Sequence, residues 1–155
     1  MRPELERTAK ALGIESHVEF LGKVDRVEKV LQRCRLFVLV SPSEGMSIAM
    51  MEAMATGVPV VVTDVGDLRD LVTPDRTGML LDSVDPAEAS KSIVAILEDE
   101  ERRLSMSDAA RAAALAHCSV EAIARRWNTA LGPAQDEQLG GGSCSTSDRT
   151  SRWTN

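Results

Sequence analysis

Two glutamates, Glu44 and Glu52, bracket a short run whose residue types suit a polar, extended ligand. Gly45-Met46-Ser47 lies between them, ahead of the helix-compatible stretch Ile48 to Thr56. The amides of Gly45, Met46 and Ser47 then sit at a helix mouth, where backbone donors have no intrahelical partner. Together with the helix dipole they favour an anion such as a phosphate. Gly45 lets a ligand approach the backbone closely. Glu44 would repel a bare phosphate, so its natural partner is a hydroxyl donor, as on a sugar. Glu52 lies about two turns along the helix. Helical side chains lean toward the N-terminus, so its carboxylate reaches back toward the loop. Acids spaced in this way are separated along a ligand, which suits a sugar and a ribose with phosphate between them. The spacing does not suit the acid/base pair of a glycosidase. Taken alone, Glu44 also reads as an ordinary first-turn helix acid, and Glu52 as a solvent-facing or salt-bridged one.

The elements that must position these residues are legible on either side. Leu36 to Val40 and Val58 to Thr63 are unbroken apolar runs, short and rich in branched side chains. Such runs fit parallel strands covered on both faces, joined by a crossover helix. Gly57 stands where a helix C-terminal glycine belongs, and Pro59 prevents continuation. In a βαβ unit of this kind ligands bind at the carboxyl ends of the strands, which here is Ser41 to Ser47. Upstream, Glu4 to Leu12 has helical spacing, Val18 to Leu21 reads as a short strand closed by Gly22, and Asp25 to Arg33 as a helix capped by Asp25. Downstream, Asp64 to Val72 reads as a loop ending in a short helix, Thr73 to Gly78 as a turn, and Met79 to Leu81 as a strand. Asp85-Pro86-Ala87-Glu88 is a helix start in which Asp85 caps and Glu88 completes a capping box. Ile93, Val94 and Leu97 give that helix its apolar face. Glu100 to Ala116 follows as a helix, its Arg/Ala-rich part 102–116 expected on the solvated outside. Ser119 caps a last helix, Val120 to Leu131. Residues 1–131 are expected to form the domain, and the Gly/Ser/Thr-rich residues 132–155 a disordered tail.

Composition narrows the partners. The chain has 155 residues, 43% apolar and 27% charged, with a formal charge of −6, which fits one domain with a real core. No Lys/Arg cluster is interleaved with aromatics, so nucleic-acid binding is disfavoured. No apolar run has membrane-spanning length. Cys34, Cys118 and Cys144 are scattered, consistent with a reduced cytoplasmic setting in which Cys34 and Cys118 are core residues. His17 and His117 are isolated from acids at ligand spacing, no metal site is expected, and Met46, Met50, Met51 and Met54 read as packing.

From Val18 to about Leu131 the sequence resembles the C-terminal half of a GT-B glycosyltransferase of the retaining type called family 4 or group 1. VEFLGKV at Val18–Val24, LFVLVSPSEGMSIAMMEAMATGVPVVVTDVG at Leu36–Gly66 and TGMLLD at Thr77–Asp82 carry the likeness, and Glu44 and Glu52 match the family's E-x7-E motif. The resemblance implies a Rossmann-like α/β parallel-sheet half-molecule, N-terminally incomplete, that binds a nucleotide-diphosphate sugar and transfers the sugar with retention, without metal or cofactor. It implies that Glu44, the candidate catalytic residue, contacts donor-sugar hydroxyls. It further implies that Gly45, Met46 and Ser47 offer amides to sugar and diphosphate, that Glu52 binds the ribose, and that Gly22, Lys23 and Val24 lie against the base.

Some features depart from the family's pattern. The family's basic Arg/Lys pair for the diphosphate and its acceptor-binding N-terminal domain have no counterpart in the sequence. Asp67 and Asp70 stand where the family often has Gly and Glu. The expectation is therefore little or no turnover by the polypeptide alone, with an unknown acceptor and an N-terminal domain or split partner chain to be supplied. Any membrane association would be peripheral, through that domain. The alternatives are a non-catalytic remnant or interaction module of the same fold, and a GT-B-fold sugar-nucleotide epimerase, which the EGMSIAMMEAMATG wording disfavours.

Overall fold

The computed structural model describes residues 1–132. Its centre is a parallel sheet in the order β1-β2-β3, formed by Phe37–Leu39 (β1), Val60–Thr63 (β2) and Gly78–Leu81 (β3). Phe37, Val38 and Leu39 pair with Val60, Val61 and Val62, and Val60 to Thr63 pair with Gly78 to Leu81. The helices are α1 (Arg2–Ala11), α2 (Val27–Leu31), α3 (Ile48–Ala55), α4 (Pro86–Glu98), α5 (Glu100–Cys118) and α6 (Val120–Leu131), with single 3-10 turns at Glu15–His17 and Leu68–Asp70.

β2 explains the layering. All four of its residues are buried, because successive side chains leave a strand on opposite faces. Val60 and Val62 join Met50, Ala53 and Met54 of α3 and Ala110 and Ala114 of α5 in one core. Val61 joins Leu81, Ala89, Ile96 and Met106 in a second core on the other face. Each buried valine contributes roughly 1.5–3 kcal/mol relative to exposure. Met50 and Met54 are wholly buried, so these methionines fill the core.

α5 corrects one expectation. It is not a solvated outer helix, since Met106, Ala110 and Ala114 are buried and it packs along α3. Its small alanines permit close approach, and the Ser107 hydroxyl donates to the Gly57 carbonyl just beyond α3. On α4 the buried residues are Ala89 and Ile96, while Val94 is exposed, so the apolar stripe is rotated from the expected one.

Other local expectations also change. Val18–Leu21 is not a strand: it makes no ladder with β1, β2 or β3 and runs as irregular chain. Asp25 does not cap α2, which begins two residues later, with Arg26 at the cap position and no side-chain cap bond. Arg26 Nε instead donates to Glu28 Oε1 at 2.7 Å. Asp85 does cap α4 by accepting from Ala87 N at 3.0 Å, but Glu88 makes no capping box. It reaches further back, accepting from Asp82 N at 2.9 Å and from the Ser83 hydroxyl at 2.7 Å, and so fixes the β3–α4 connection. Cys34 is exposed, because α2 ends before it could be carried into the core. The disordered-tail reading falls, beyond Gly132, outside the described residues.

Candidate functional site

The loop between β1 and α3 is held from below by the end of β2. Thr63 is 2% exposed. Its hydroxyl donates to Ser41 O at 2.6 Å and accepts from Ser41 N at 3.1 Å. A side chain thus extends the pairing of β1 and β2 by one step and fixes where the loop departs. A second tie is steric. Gly66 has φ +56°, and a Cβ built on it would stand 2.0 Å from the Glu44 carbonyl oxygen. The turn after β2 therefore lies in backbone contact with the loop that carries Glu44. Arg69 Nε approaches Asp64 Oδ1 at 3.0 Å without hydrogen-bond geometry, a Coulombic clasp across the same turn.

Ser47 caps α3. Its side chain accepts from Met50 N at 3.3 Å, which satisfies one orphan amide of the first turn. The amides of Gly45, Met46 and Ser47 have no acceptor among the described residues, as the sequence suggested. Glu44 lies three residues before the cap, so it is not a first-turn acid. It is half-buried, while Gly45 and Met46 are exposed. Glu52 is exposed and makes no ion pair among the described residues.

Glu52 shares a helical face with Ile48, Met51 and Ala55, the i, i+3, i+4, i+7 set. That face forms one wall of a groove of about 920 Å³, within the size range of ligand sites. Met46 continues the wall at the helix mouth, and Asp70 and Leu71 border it. The opposite wall is His117, Cys118, Ile123 and Arg126, from the end of α5 and from α6. A smaller cavity of about 400 Å³ between α5 and α6 shares Arg126 but contains no acid.

Met46 and Glu52, two of the residues singled out in the sequence, thus meet in one groove. Glu44, Gly45 and Ser47 stand on the loop at its end rather than in its lining. Gly22, Lys23 and Val24 do not reach the groove. They form an exposed turn ahead of α2, with Gly22 at φ +66°. Next to that turn the Arg2 guanidinium lies over the Phe20 ring, 5.8 Å from its centroid, and ties α1 to it.

Asp70, His117 and Arg126 were not singled out as site residues from the sequence. One signal for the last two was available. Ser119 ends α5 and caps α6, accepting from Ala122 N at 3.1 Å. A one-residue joint of this kind folds α6 back beside the end of α5. Burial pushes the Cys118 thiol above its usual pKa, and the nearby Arg126 charge partly offsets this. Cys118 Sγ contacts Met51 Sδ at 3.3 Å, closing the floor between α5 and α3. No group of His, Cys, Asp and Glu side chains among the described residues is arranged to hold a metal ion, and none of the described helices is long and apolar enough to cross a membrane.

The family model for glycosyl transferases group 1 matches residues 1–113. The chain belongs to the group 1 glycosyltransferases. An N-acetyl-alpha-D-glucosaminyl L-malate synthase from Bacillus anthracis is 33% identical over 120 residues, covering 77% of this chain and 32% of the relative. Anabaena HepE in complex with UDP-glucose superposes with a TM-score of 0.77 at 27% identity, over 83% of this chain and 36% of that protein. Sucrose-phosphate synthase from Thermosynechococcus elongatus gives a TM-score of 0.74 at 28% identity, over 84% and 33%. The parallel sheet with helices on both faces is thus part of the GT-B architecture, and this glycosyltransferase chain spans about a third of the length of such relatives.

Proposed function

We propose that this group 1 glycosyltransferase chain binds the nucleotide-sugar donor in the Glu52 groove, with the sugar toward Glu44. The observation that carries the reading is the join between groove and helix mouth. Among the described residues, unpartnered amides at Gly45–Ser47 lead directly into a wall bearing an unpaired carboxylate. Phosphate suits the amides and vicinal hydroxyls suit the carboxylates. The UDP-glucose complex of Anabaena HepE supports a uridine-linked donor. Glu44, on the loop at the groove's end, is the residue we assign to the sugar hydroxyls. Gly22, Lys23 and Val24 remain candidates for the base, reached by a ligand longer than the groove. Transfer with retention is the reaction we assign to the parent enzyme, driven by donor positioning and stabilisation of the departing diphosphate.

Calorimetric titration with UDP, GDP and ADP tests the reading. One of the three is expected to bind, and Glu52→Ala to weaken it about tenfold, as loss of hydrogen bonds to a charged group does. Unchanged affinity in Glu52→Ala would remove the ribose assignment. Little or no sugar transfer is expected from the 155-residue chain by itself, because the relatives' activities belong to proteins of which it matches only about a third. A radiolabelled-donor assay giving sustained turnover would contradict that.

A further inference from the structure

The Glu52 groove has a charged wall that the donor reading leaves unused. Arg126, on α6, lines it across from α3. No described carboxylate lies within 4.0 Å of its guanidinium, and the same holds for cations around Glu52. The two opposite charges line one groove without pairing with each other. A ligand with an anionic part and a hydroxyl-bearing part completes both at once. Arg126 also acts on the inner wall of the groove, since its charge is felt by the Cys118 thiol beneath. Asp70 lines the groove too and opposes any phosphate there, so an anion needs a cation to offset it. A guanidinium presents a planar fork of donors that matches two phosphate oxygens.

We propose that Arg126 binds the diphosphate of the donor, supplying from α6 the cation that the α3 loop lacks. The assignment rests on the donor reading above. It makes α6, the last helix among the described residues, part of the ligand site, whereas the sequence pointed only to residues between Gly22 and Glu52.

The test compares a nucleoside diphosphate with its parent nucleoside. The full chain is titrated with UDP, GDP and ADP, and the one that binds is paired with the corresponding nucleoside. Arg126→Ala is expected to weaken the diphosphate about tenfold or more and to leave the nucleoside unchanged. Arg126→Lys, which keeps the charge but loses the fork, is expected to fall between. Thermal unfolding of each variant checks that the fold is intact, and Arg126→Gln, which preserves length, serves if the alanine variant unfolds. Equal loss for diphosphate and nucleoside, or no loss for either, overturns the proposal. If the unaltered chain binds none of the three diphosphates, the donor reading itself fails. If it binds one and Arg126→Ala binds it equally well, the failure belongs to Arg126 alone.

Discussion

Gly66→Ala is expected to weaken nucleotide binding at least tenfold while the chain stays folded. Two independent effects act at this position. The backbone has φ +56°, a conformation that costs an alanine about 1–2 kcal/mol. The added methyl would also stand 2.0 Å from Glu44 O and 2.9 Å from Glu44 C. The methyl cannot move, and a backbone carbonyl is not a flexible neighbour. The loop carrying Glu44 must therefore shift away. Gly66 and Glu44 are both at the sheet's carboxyl end, and neither belongs to a strand or helix. The shift is thus absorbed by loops, at a stability cost of about 1–3 kcal/mol. Urea unfolding with a modestly lowered midpoint and a titration with strongly weakened UDP, or whichever diphosphate binds, is the expected pair of results. Wild-type affinity in a folded Gly66→Ala protein would separate the Glu44 loop from the ligand site.

Gly78→Val should have the opposite signature, loss of the fold itself. Gly78 pairs with Val60 in the β2–β3 ladder. A Cβ there would lie 2.2 Å from Val60 O and 2.7 Å from the Val60 side chain. Here both partners sit in the central sheet, and Val60 is fully buried against α3 and α5. Relief requires separating two paired strands or moving the main core. Overpacking of this kind typically costs about 1–3 kcal/mol for a small insertion and more for a branched one. That is a large share of the roughly 5–15 kcal/mol that holds a domain together. The variant is expected to give an unfolded far-UV spectrum or a midpoint lowered by more than that of Gly66→Ala. A Gly78→Val protein as stable as the parent would show that β3 is free to pull back from β2. The two glycines meet similar overlaps, so the contrast tests whether location decides between function and stability.

The βαβ unit was legible because its signals agree. Apolar runs of strand length, a run compatible with helix, Gly57 and Pro59 all call for the same topology, and the parallel register of β1 and β2 follows. Downstream, Asp85 and Ser119 marked two helix starts correctly. The failures share a cause. Val18–Leu21 has strand composition, but a strand also requires a neighbour, and composition says nothing of neighbours. Glu88 has the spacing of a capping box, yet Asp82 N and the Ser83 hydroxyl compete for its oxygens. At the groove, Met46 and Glu52 could be singled out together because they are close in sequence. Arg126 and His117 were not, since they meet Glu52 only once α5 has packed along α3 and the joint at Ser119 has turned α6 back.

The sheet order leaves β1 with one hydrogen-bonded neighbour among the described residues, and Val38 at its middle is 42% exposed. An open, apolar strand edge offers its free main-chain groups to any extended segment that meets it. The 155-residue chain is therefore expected to self-associate as its concentration rises, with molecules recruited edge to edge. Light scattering across a dilution series would show it, and Val38→Lys should suppress it by placing a charge on the edge. Scattering that is flat with concentration would mean the edge is shielded. Where scattering does rise, colloidal behaviour, rather than folding free energy, sets the concentration at which ligand titrations can be run.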